Sequence, residues 1–182
     1  MTKKISNYHH GDLRNSLIHN ASLLIERDGM DSLSMRKLGE IVGVSRTALY
    51  HHFNNKQDLL SAIAEQGFVH WHKQVTQIFS NSEIDDLEKM EKYINSYLKF
   101  ATSRQATYEL MFGKDIWLKG INTESLKQTA YESFEYHVRL VKDWQQKRIV
   151  DHEQDSLRLA QVMWSTLHGM AKLFNDGIYS DK

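Results

Sequence analysis

Apolar side chains recur three and four positions apart along most of this chain, with polar side chains between them. That spacing places the apolar groups on one face of an α-helix. Alternating runs of Val, Ile and Thr, which are typical of β-strands, are hard to find, and the 182 residues include no proline. The pattern predicts an all-α protein.

Polar capping residues and glycines mark the ends of the predicted helices. Gly29 suits a left-handed cap after the first helix, and Ser34 begins the second. Gly43 ends the second helix, Ser45 caps the third, and Asn55 precedes a long fourth helix. The predicted helices cover residues 11–27, 34–42, 46–53, 56–79, 87–103, 124–149 and 155–174, with shorter helical pieces around 108–117.

The helices divide into two predicted domains. The polar stretch 80–86 is the most linker-like break, although a turn between two helices accounts for it as well. Apolar positions early in the fourth helix suit the N-terminal helices, and later positions are available to the C-terminal ones. We therefore place the boundary near Ser61. A three-helix domain in residues 1–60 is joined by the long helix to a C-terminal helical domain in residues 61–182.

The second and third helices meet the steric demands of a helix-turn-helix. Gly39 stands where the third helix must approach closely, and Gly43 lies in the turn, where a positive φ is required. The predicted apolar contacts between the two helices are Leu38, Val42, Val44 and Leu49. Spacing of this kind also arises by chance in other helical proteins, so it leaves ordinary helix packing open.

The side chains at the end of the third helix are polar, aromatic and basic. Tyr50, His51, His52 and Lys56 are awkward on a core-facing helix and natural beside a sugar-phosphate backbone. Phe53, by contrast, is expected to fill the core. The N-terminal turn of a recognition helix reaches base edges in the major groove. Here that turn contains Ser45, Arg46 and Thr47.

Residues 34–60, SMRKLGEIVGVSRTALYHHFNNKQDLL, resemble the DNA-binding signature of the TetR (tetracycline-repressor-like) family of transcription regulators. The resemblance implies phosphate contacts from Tyr50, His51 and Lys56, and from Ser34 at the N-terminus of the second helix. His51 stands where many members have a second aromatic residue. The candidates for reading bases are Arg36, Arg46 and Thr47.

The last predicted helix is apolar nearly all round. One stripe contains Leu159, Val162, Met163, Thr166, Met170 and Phe174, and another contains Leu157, Ala160, Trp164, Leu167 and Ala171. Such a helix needs cover on both sides, so we expect one face to pack within the chain and the other against a second copy. Gly169 would then allow close approach of the partner's backbone. The result is a homodimer whose last two helices form a four-helix bundle.

Trp164, His168 and Gly169 also resemble a Trp-His-Gly motif found in one subgroup of TetR-like C-terminal domains. The resemblance implies that the C-terminal helices enclose an effector pocket. Ligand binding there would move the fourth helix and change the separation of the two recognition helices. The half-sites they read lie about 34–36 Å apart.

Aromatic and methionine side chains are dense in the C-terminal part, where they serve either as core or as pocket lining. The candidate effector contacts are Tyr93, Tyr97, Phe100, Met111, Phe112, Trp117, Phe134, His137, Trp164 and His168. A hydrogen bond to a backbone carbonyl is the alternative role for each of the two histidines.

Composition narrows the possible functions. The absence of cysteine removes disulfides, thiol catalysis and thiolate metal sites. The net charge is zero, with a surplus of two positive charges in residues 1–60, which permits a DNA partner without requiring one. No run approaches the roughly 18 apolar residues of a membrane span, and the start MTKKISNYHHGD lacks the apolar stretch of a signal peptide. We expect a cytoplasmic protein without a membrane partner.

Enzyme signatures are missing from the sequence. There is no HExxH helix, Gly-rich phosphate loop or serine elbow, so we expect no catalytic residues and no cofactor. The histidine pairs 9–10, 51–52 and 70/72 point to different sides of a helix and predict no metal site.

Taken together, these features of the sequence predict a TetR-like repressor. It would bind a palindromic operator in double-stranded DNA as a homodimer, and an unknown small-molecule effector would release it. The open alternatives are a helix-turn-helix activator, a regulator controlled by a metal or a protein partner, and a helical interaction protein that uses the motif on another protein.

Overall fold

The computed structural model describes residues 10–118 and 122–179, and all regular secondary structure within these ranges is helical. The predicted all-α class is confirmed. Residues 1–9, which carry most of the start segment and the first residue of the 9–10 histidine pair, lie outside the described ranges. The α-helices that the structure describes are α1 (His10–Asp28), α2 (Met35–Val42), α3 (Arg46–His52), α4 (Lys56–Ser80), α5 (Asp86–Ser103), α6 (Gln105–Phe112), α7 (Lys114–Leu118), α8 (Glu124–Gln146) and α9 (Ser156–Asn175).

Side-chain caps begin the helices where the sequence predicts them. The Ser34 hydroxyl accepts a hydrogen bond from the Lys37 amide at 3.2 Å, and the Ser45 hydroxyl accepts one from the Ala48 amide at 3.2 Å. Each bond satisfies one of the amides that a helix N-terminus leaves unpaired. Gly43 ends α2 in the left-handed conformation, at φ 75°, as the turn requires.

Three local features differ from the prediction. A 3₁₀ turn at Met30–Ser32 was not expected. Helix α8 ends at Gln146 and not near 149, because Arg148 adopts φ 57° and the Ile149 amide bonds back to the Trp144 carbonyl at 2.9 Å. This ending is a Schellman-type cap without the usual glycine, so the sequence does not mark it. Helix α6 starts at residue 105, and its first turn has no local side-chain cap.

The described chain consists of two regions, the head, residues 10–60, and the body, residues 61–118 and 122–179. Helix α4 runs through both regions, packing against α1 on one side and against α5, α6 and α8 on another. Residues 81–85 form a turn between α4 and α5, and the Asp85 carboxylate caps α5 by accepting from the Glu88 amide. One continuous apolar core extends from the head into the body.

The packing of the helix-turn-helix depends on Gly39. A Cβ atom at this position would lie 3.3 Å from the Val44 carbonyl oxygen and 3.8 Å from the Leu49 side chain, so α3 approaches as closely as predicted. Leu38 and Leu49 are fully buried, whereas Val42 and Val44 are only half-buried. The apolar contact between α2 and α3 therefore depends mainly on the two leucines.

Helix α9 is covered on one face within the chain. Ala160, Leu167 and Ala171 are buried, whereas Val162 on the opposite face is 62% exposed. Among the described residues, and apart from its two chain neighbours and the adjacent backbone of α9, no atom lies within 4 Å of the position that a Gly169 Cβ would occupy. Leu157 shares a predicted stripe with the buried Ala160 and Leu167, but it is 45% exposed in the first turn. The outer face is exposed over the middle of the helix.

None of the helices in the described ranges is long and apolar enough to cross a membrane.

Candidate functional sites: an exposed helix face and an aromatic cavity

Helix α3 turns one face outward from the head. Arg46, Thr47 and His51 are exposed and Tyr50 is 37% exposed, whereas Leu49 is buried on the opposite side. The Arg46 guanidinium lies 5.3 Å from the centre of the Tyr50 ring, a cation–π contact that aligns the two side chains. This face therefore presents a cation from Arg46, a hydroxyl group from Thr47 and, one turn later, the aromatic ring of Tyr50.

The candidate residues at the two N-termini are also exposed. The hydroxyl groups of Ser34 and Ser45 accept hydrogen bonds from backbone amides, so both side chains hold their helices in place. Arg36 is 89% exposed and pairs with Glu40 at 2.9 Å. Exposed pairs of this kind contribute little stability, so the guanidinium can exchange Glu40 for another partner.

Lys56 has a structural contact that sequence reasoning missed. Its ammonium group donates to the Met30 carbonyl at 3.3 Å and the side chain is half-buried, so it ties the start of α4 to the 3₁₀ turn. Phe53 is buried at 3% exposure, as expected for a core residue. DNA contacts from Lys56 and from the residues on α2 and α3 stay predictions.

The body contains an aromatic cavity of about 740 Å³ between α4, α5, α6, α7, α8 and α9. This volume is in the usual range for pockets that bind drug-sized molecules. Eight of the ten candidate effector residues line it, namely Tyr93, Tyr97, Phe112, Trp117, Phe134, His137, Trp164 and His168. The structure brings them together from five helices, and their contact with an effector stays a prediction.

Two candidate effector residues lie outside the lining. Met111 is 1% exposed, and its sulfur packs so closely on α4 that a Cβ atom at Gly67 would lie 2.5 Å from it. Phe100 packs against Trp71 on one side and His70 on another, with ring centres 5.9 and 6.0 Å apart. Both side chains contribute to the core between helices rather than to the cavity.

Sequence reasoning also missed part of the cavity lining. The missed residues are Phe68, Trp71, Ala130, Ser133, Gln161 and Ser165. Phe68 and Trp71 are three positions apart on the part of α4 that the apolar pattern makes available to the C-terminal domain, so helical spacing was a usable signal for them. The small and polar residues carry no such signal, because nothing in their neighbourhood distinguishes a cavity wall from a solvated surface.

A buried pair of hydrogen bonds joins α5, α8 and α9. The Nε2 of His137 lies 3.1 Å from the Ala160 carbonyl, and its Nδ1 lies 2.9 Å from the Tyr93 hydroxyl. A carbonyl only accepts, so Nε2 carries the proton and Tyr93 donates to Nδ1. Burial lowers the pKa of His137 and raises the pKa of Tyr93, so both groups are neutral at pH 7.

A second buried network joins α5, α6 and α9. The Tyr97 and Tyr108 hydroxyls lie 2.9 Å apart, and the Tyr108 hydroxyl lies 2.6 Å from His168 Nδ1. Burial raises the pKa of Tyr108 to about 12, and burial together with nearby Lys172 lowers the pKa of His168. The network therefore consists of neutral groups that constrain one another's orientation.

Glu26 connects the head directly to the body. Its carboxylate accepts hydrogen bonds from the Ala106 and Thr107 amides at 3.0 and 2.9 Å, and the Ser22 and Thr107 hydroxyls lie 3.2 Å apart. Glu26 of α1 thus supplies the N-terminal cap that α6 lacks locally. Because Tyr108 and Phe112 of the cavity region are on α6, this helix contacts both the cavity and the head.

No group of three or more His, Asp or Glu side chains suited to hold a metal ion occurs within residues 10–118 and 122–179.

Two family models match the chain. Residues 17–63 match "Bacterial regulatory proteins, tetR family" and residues 90–180, which make up half of the chain, match "Tetracyclin repressor-like, C-terminal domain". The first match contains α2 and α3, and the second contains most of the helices around the cavity. Neither description refers to the Trp-His-Gly subgroup.

The tetracycline repressor protein class A from transposon 1721 of Escherichia coli is 49% identical over 51 residues. These residues are 28% of this chain and 24% of the repressor. The chain therefore spans about a quarter of the length of the curated repressors that it matches.

Solved structures resemble nearly the whole chain. A protein with unknown function from Rhodococcus sp. RHA1 is 29% identical with a TM-score of 0.82, covering 96% of this chain and 89% of that protein. AibR in complex with isovaleryl coenzyme A and operator DNA has a TM-score of 0.62 at 16% identity, covering 90% of this chain and 85% of AibR. The likeness to AibR shows a shared fold.

Proposed function

The chain belongs to the tetR family of bacterial regulatory proteins, and from this premise we propose that it is a transcriptional repressor that a small-molecule effector releases from its operator. The protein binds a palindromic site in double-stranded DNA as a homodimer. Repression, rather than activation, follows the function named for the curated tetracycline repressors.

The exposed face of α3 is the observation that carries this proposal. Arg46 is aligned by Tyr50 and stands next to Thr47 on a helix whose other face is anchored by buried Leu49. A major groove admits one α-helix, and a guanidinium at its N-terminal turn matches the acceptor pair of guanine. Ser34, Ser45, His51 and Lys56 flank this face and supply contacts to phosphates.

The homodimer explains the exposed outer face of α9. Val162 and Thr166 are exposed on this face, and Gly169 has open space around its Cβ position, so a partner helix can approach closely. Helices α8 and α9 of two copies then form the four-helix bundle, and two heads read the two halves of a palindrome. We divide each subunit near Ser61, within α4.

Release by an effector follows from the position of the cavity. Its walls include α4 and α6, and both helices contact α1 of the head. A ligand that prefers one arrangement of these helices shifts the population of head positions and lowers operator affinity. AibR, whose fold this chain shares, was crystallised in complex with isovaleryl coenzyme A and operator DNA, which supports a small-molecule site and a DNA-binding surface within one chain of this fold.

DNA binding can be tested before the operator sequence is identified. Purified protein is used to select duplexes from a random double-stranded library, and the enriched sequence is then measured by fluorescence anisotropy. We expect a palindrome with half-sites about one helical turn apart and an affinity that falls steeply with salt. Lys56→Ala should weaken binding to all duplexes, whereas Lys99→Ala on the exposed face of α5 serves as the control for loss of one positive charge.

Failure to enrich any duplex, or equal loss of affinity in the Lys56 and Lys99 variants, would contradict the proposal. Binding by a monomer at concentrations where sedimentation detects no dimer would contradict the homodimer. Enrichment of an unrelated protein partner without DNA would favour the interaction-protein alternative.

A further inference from the structure

The aromatic cavity has an uncharged lining. Among the described residues that line it there is no Lys, Arg, Asp or Glu. An ion that leaves water for such a site loses its hydration without gaining an opposite charge. The cavity therefore disfavours carboxylates, phosphates and ammonium groups alike.

The Tyr93–His137 pair offers no hydrogen-bond donor to a ligand. His137 uses its Nε2–H on the Ala160 carbonyl and its Nδ1 on the Tyr93 hydroxyl. Both ring nitrogens and the tyrosine proton are engaged within the protein. At this end of the cavity a ligand meets the faces and edges of rings.

The Tyr97–Tyr108–His168 network contains one hydrogen-bond donor that is not used within the network. If Tyr108 donates to His168 Nδ1, Tyr97 donates to Tyr108, and every buried hydroxyl proton has an acceptor. The reverse order would leave the proton of Tyr97, which is 2% exposed, without an acceptor. His168 then carries its proton on Nε2, for which the described part of the chain supplies no partner.

His168 remains a neutral donor at pH 7. Its burial, with a contribution from Lys172, lowers its pKa from the usual value. A neutral ring in a cavity wall favours a neutral acceptor such as a carbonyl oxygen or a pyridine-type nitrogen, because no net charge needs a counterion.

The arrangement of the rings argues against a cationic ligand. Many lining rings are paired edge to face, with interplanar angles of 81° for Phe68–Phe112, 85° for Trp71–Tyr97 and 73° for Phe112–His168. The electron-rich faces that attract a cation are thus partly covered by the edges of neighbouring rings. The N–H of His168 also presents its positive end to the ligand.

We propose that the effector is an uncharged, planar aromatic molecule whose hydrogen-bond acceptor binds the Nε2–H of His168. Its ring system lies among Phe112, Phe134 and Trp164, whose ring contacts place them beside His168 and His137. The proposal rests on the proposed ligand control of this cavity, and it specifies the class of ligand and the group that anchors it.

Four probes that share one fused bicyclic ring framework test the proposal on the full-length protein. Quinoline is neutral at pH 7.5 and has one acceptor, naphthalene has none, N-methylquinolinium is a cation and 2-naphthoate is an anion. Binding is measured by ligand-observed NMR. We expect quinoline to bind about three- to tenfold more tightly than naphthalene, the range of one neutral hydrogen bond. Both ions should bind at least about tenfold more weakly than quinoline.

Variants at position 168 test the anchor. His168→Phe removes the donor and keeps an aromatic ring, so quinoline should fall to the affinity of naphthalene while naphthalene binding stays within about twofold. Retained naphthalene binding shows that the cavity is intact. If His168→Phe does not fold, His168→Gln retains a donor and should preserve the preference for quinoline. Leu157→Ala is the control for α9 substitutions, because Leu157 is 45% exposed in the first turn of α9 and does not line the cavity.

Several outcomes would overturn the proposal. These are tighter binding of N-methylquinolinium or 2-naphthoate than of quinoline, equal affinities for quinoline and naphthalene, a preference for quinoline that survives in His168→Phe, or no binding of any probe. The NMR measurement contains no DNA, so its result is independent of operator binding. A protein that binds its selected palindrome but fails these tests keeps the proposed function and loses the ligand class.

Discussion

The head and the body organise their polar side chains in opposite ways. In the head every candidate DNA contact except Lys56 is exposed, and the caps that begin α2 and α3 are bonds between residues three apart, such as Ser45 to Ala48. In the body the Tyr–His pairs lie in the interior, and their partners are distant in sequence: 44 residues separate Tyr93 from His137 and 60 separate Tyr108 from His168. The head's surface is thus built by local geometry, and the body's network by tertiary packing.

This difference predicts which property a substitution will change. An exposed side chain contributes little to folding, so its loss should affect binding alone. A buried hydrogen-bonded group contributes to folding, because its loss leaves its partners unpaired.

The largest effect is expected for Arg46→Ala combined with Tyr50→Ala in the head. Loss of a base contact and a phosphate contact should lower affinity for the selected palindrome by at least about 100-fold. The melting temperature should change by less than about 2 °C, since both side chains are exposed. Fluorescence anisotropy and calorimetry measure the two properties. Arg46→Ala alone should also relax preference at one base pair. A large loss of thermal stability would show that these side chains support the head's fold.

In the body, His137→Ala should destabilise the protein by about 2–4 kcal/mol in urea unfolding. The Tyr93 hydroxyl and the Ala160 carbonyl would both lose their buried partner. His152→Ala, an exposed histidine of the body, is the matched control and should be neutral within about 0.5 kcal/mol. Operator affinity should be unchanged well below the melting temperature. Equal stability of the two variants would contradict the assigned role of His137.

Glu26→Gln tests the contact that crosses between the two regions. The amide has one acceptor oxygen and no charge, so one α6 amide loses its partner and the helix dipole loses its counter-charge. We expect a loss of about 1–2 kcal/mol and faster hydrogen exchange at Ala106 and Thr107. Glu91→Gln, exposed on α5, is the control. Unchanged hydrogen exchange at these two amides would show that Glu26 does not cap α6 and does not connect the head to the body.

The smallest expected effect is the change in folding stability when buried groups of the body titrate. Burial lowers the pKa of His137 from 6.5, so the unfolded chain binds more protons below pH 6.5. Stability should therefore fall on acidification, by less than about 1.4 kcal/mol for His137 over the first pH unit. At the alkaline side, burial raises the pKa of Tyr93, Tyr97 and Tyr108 from 10.0, so stability should also fall as the pH rises above about 10.

Absorbance at 295 nm during an alkaline titration checks the predicted loss of stability at high pH. Three of the eight tyrosines should ionise only when the protein unfolds. Ionisation of all eight near pH 10 without unfolding would show that the tyrosine network is open to solvent.

The exposed face of α3, the candidate DNA-binding surface, was predictable from the chain because its signals are short-range. Ser34, Gly43 and Ser45 end or begin helices through bonds to residues at most four positions away. Leu38 and Leu49 then specify which faces of α2 and α3 are buried. The helical class follows from the same spacing, repeated along the chain, together with the absence of proline.

The tertiary structure decided which of many similar side chains form the cavity and which fill the core. Met111 and Phe100 became core residues and Phe68 and Trp71 became cavity wall, because the distances between helices, not residue types, determine where a space remains. The cap from Glu26 on α6 and the hydrogen bonds of His137 and His168 likewise join residues far apart in sequence. Helical periodicity specifies a face of each helix, but only packing specifies the partner that the face meets.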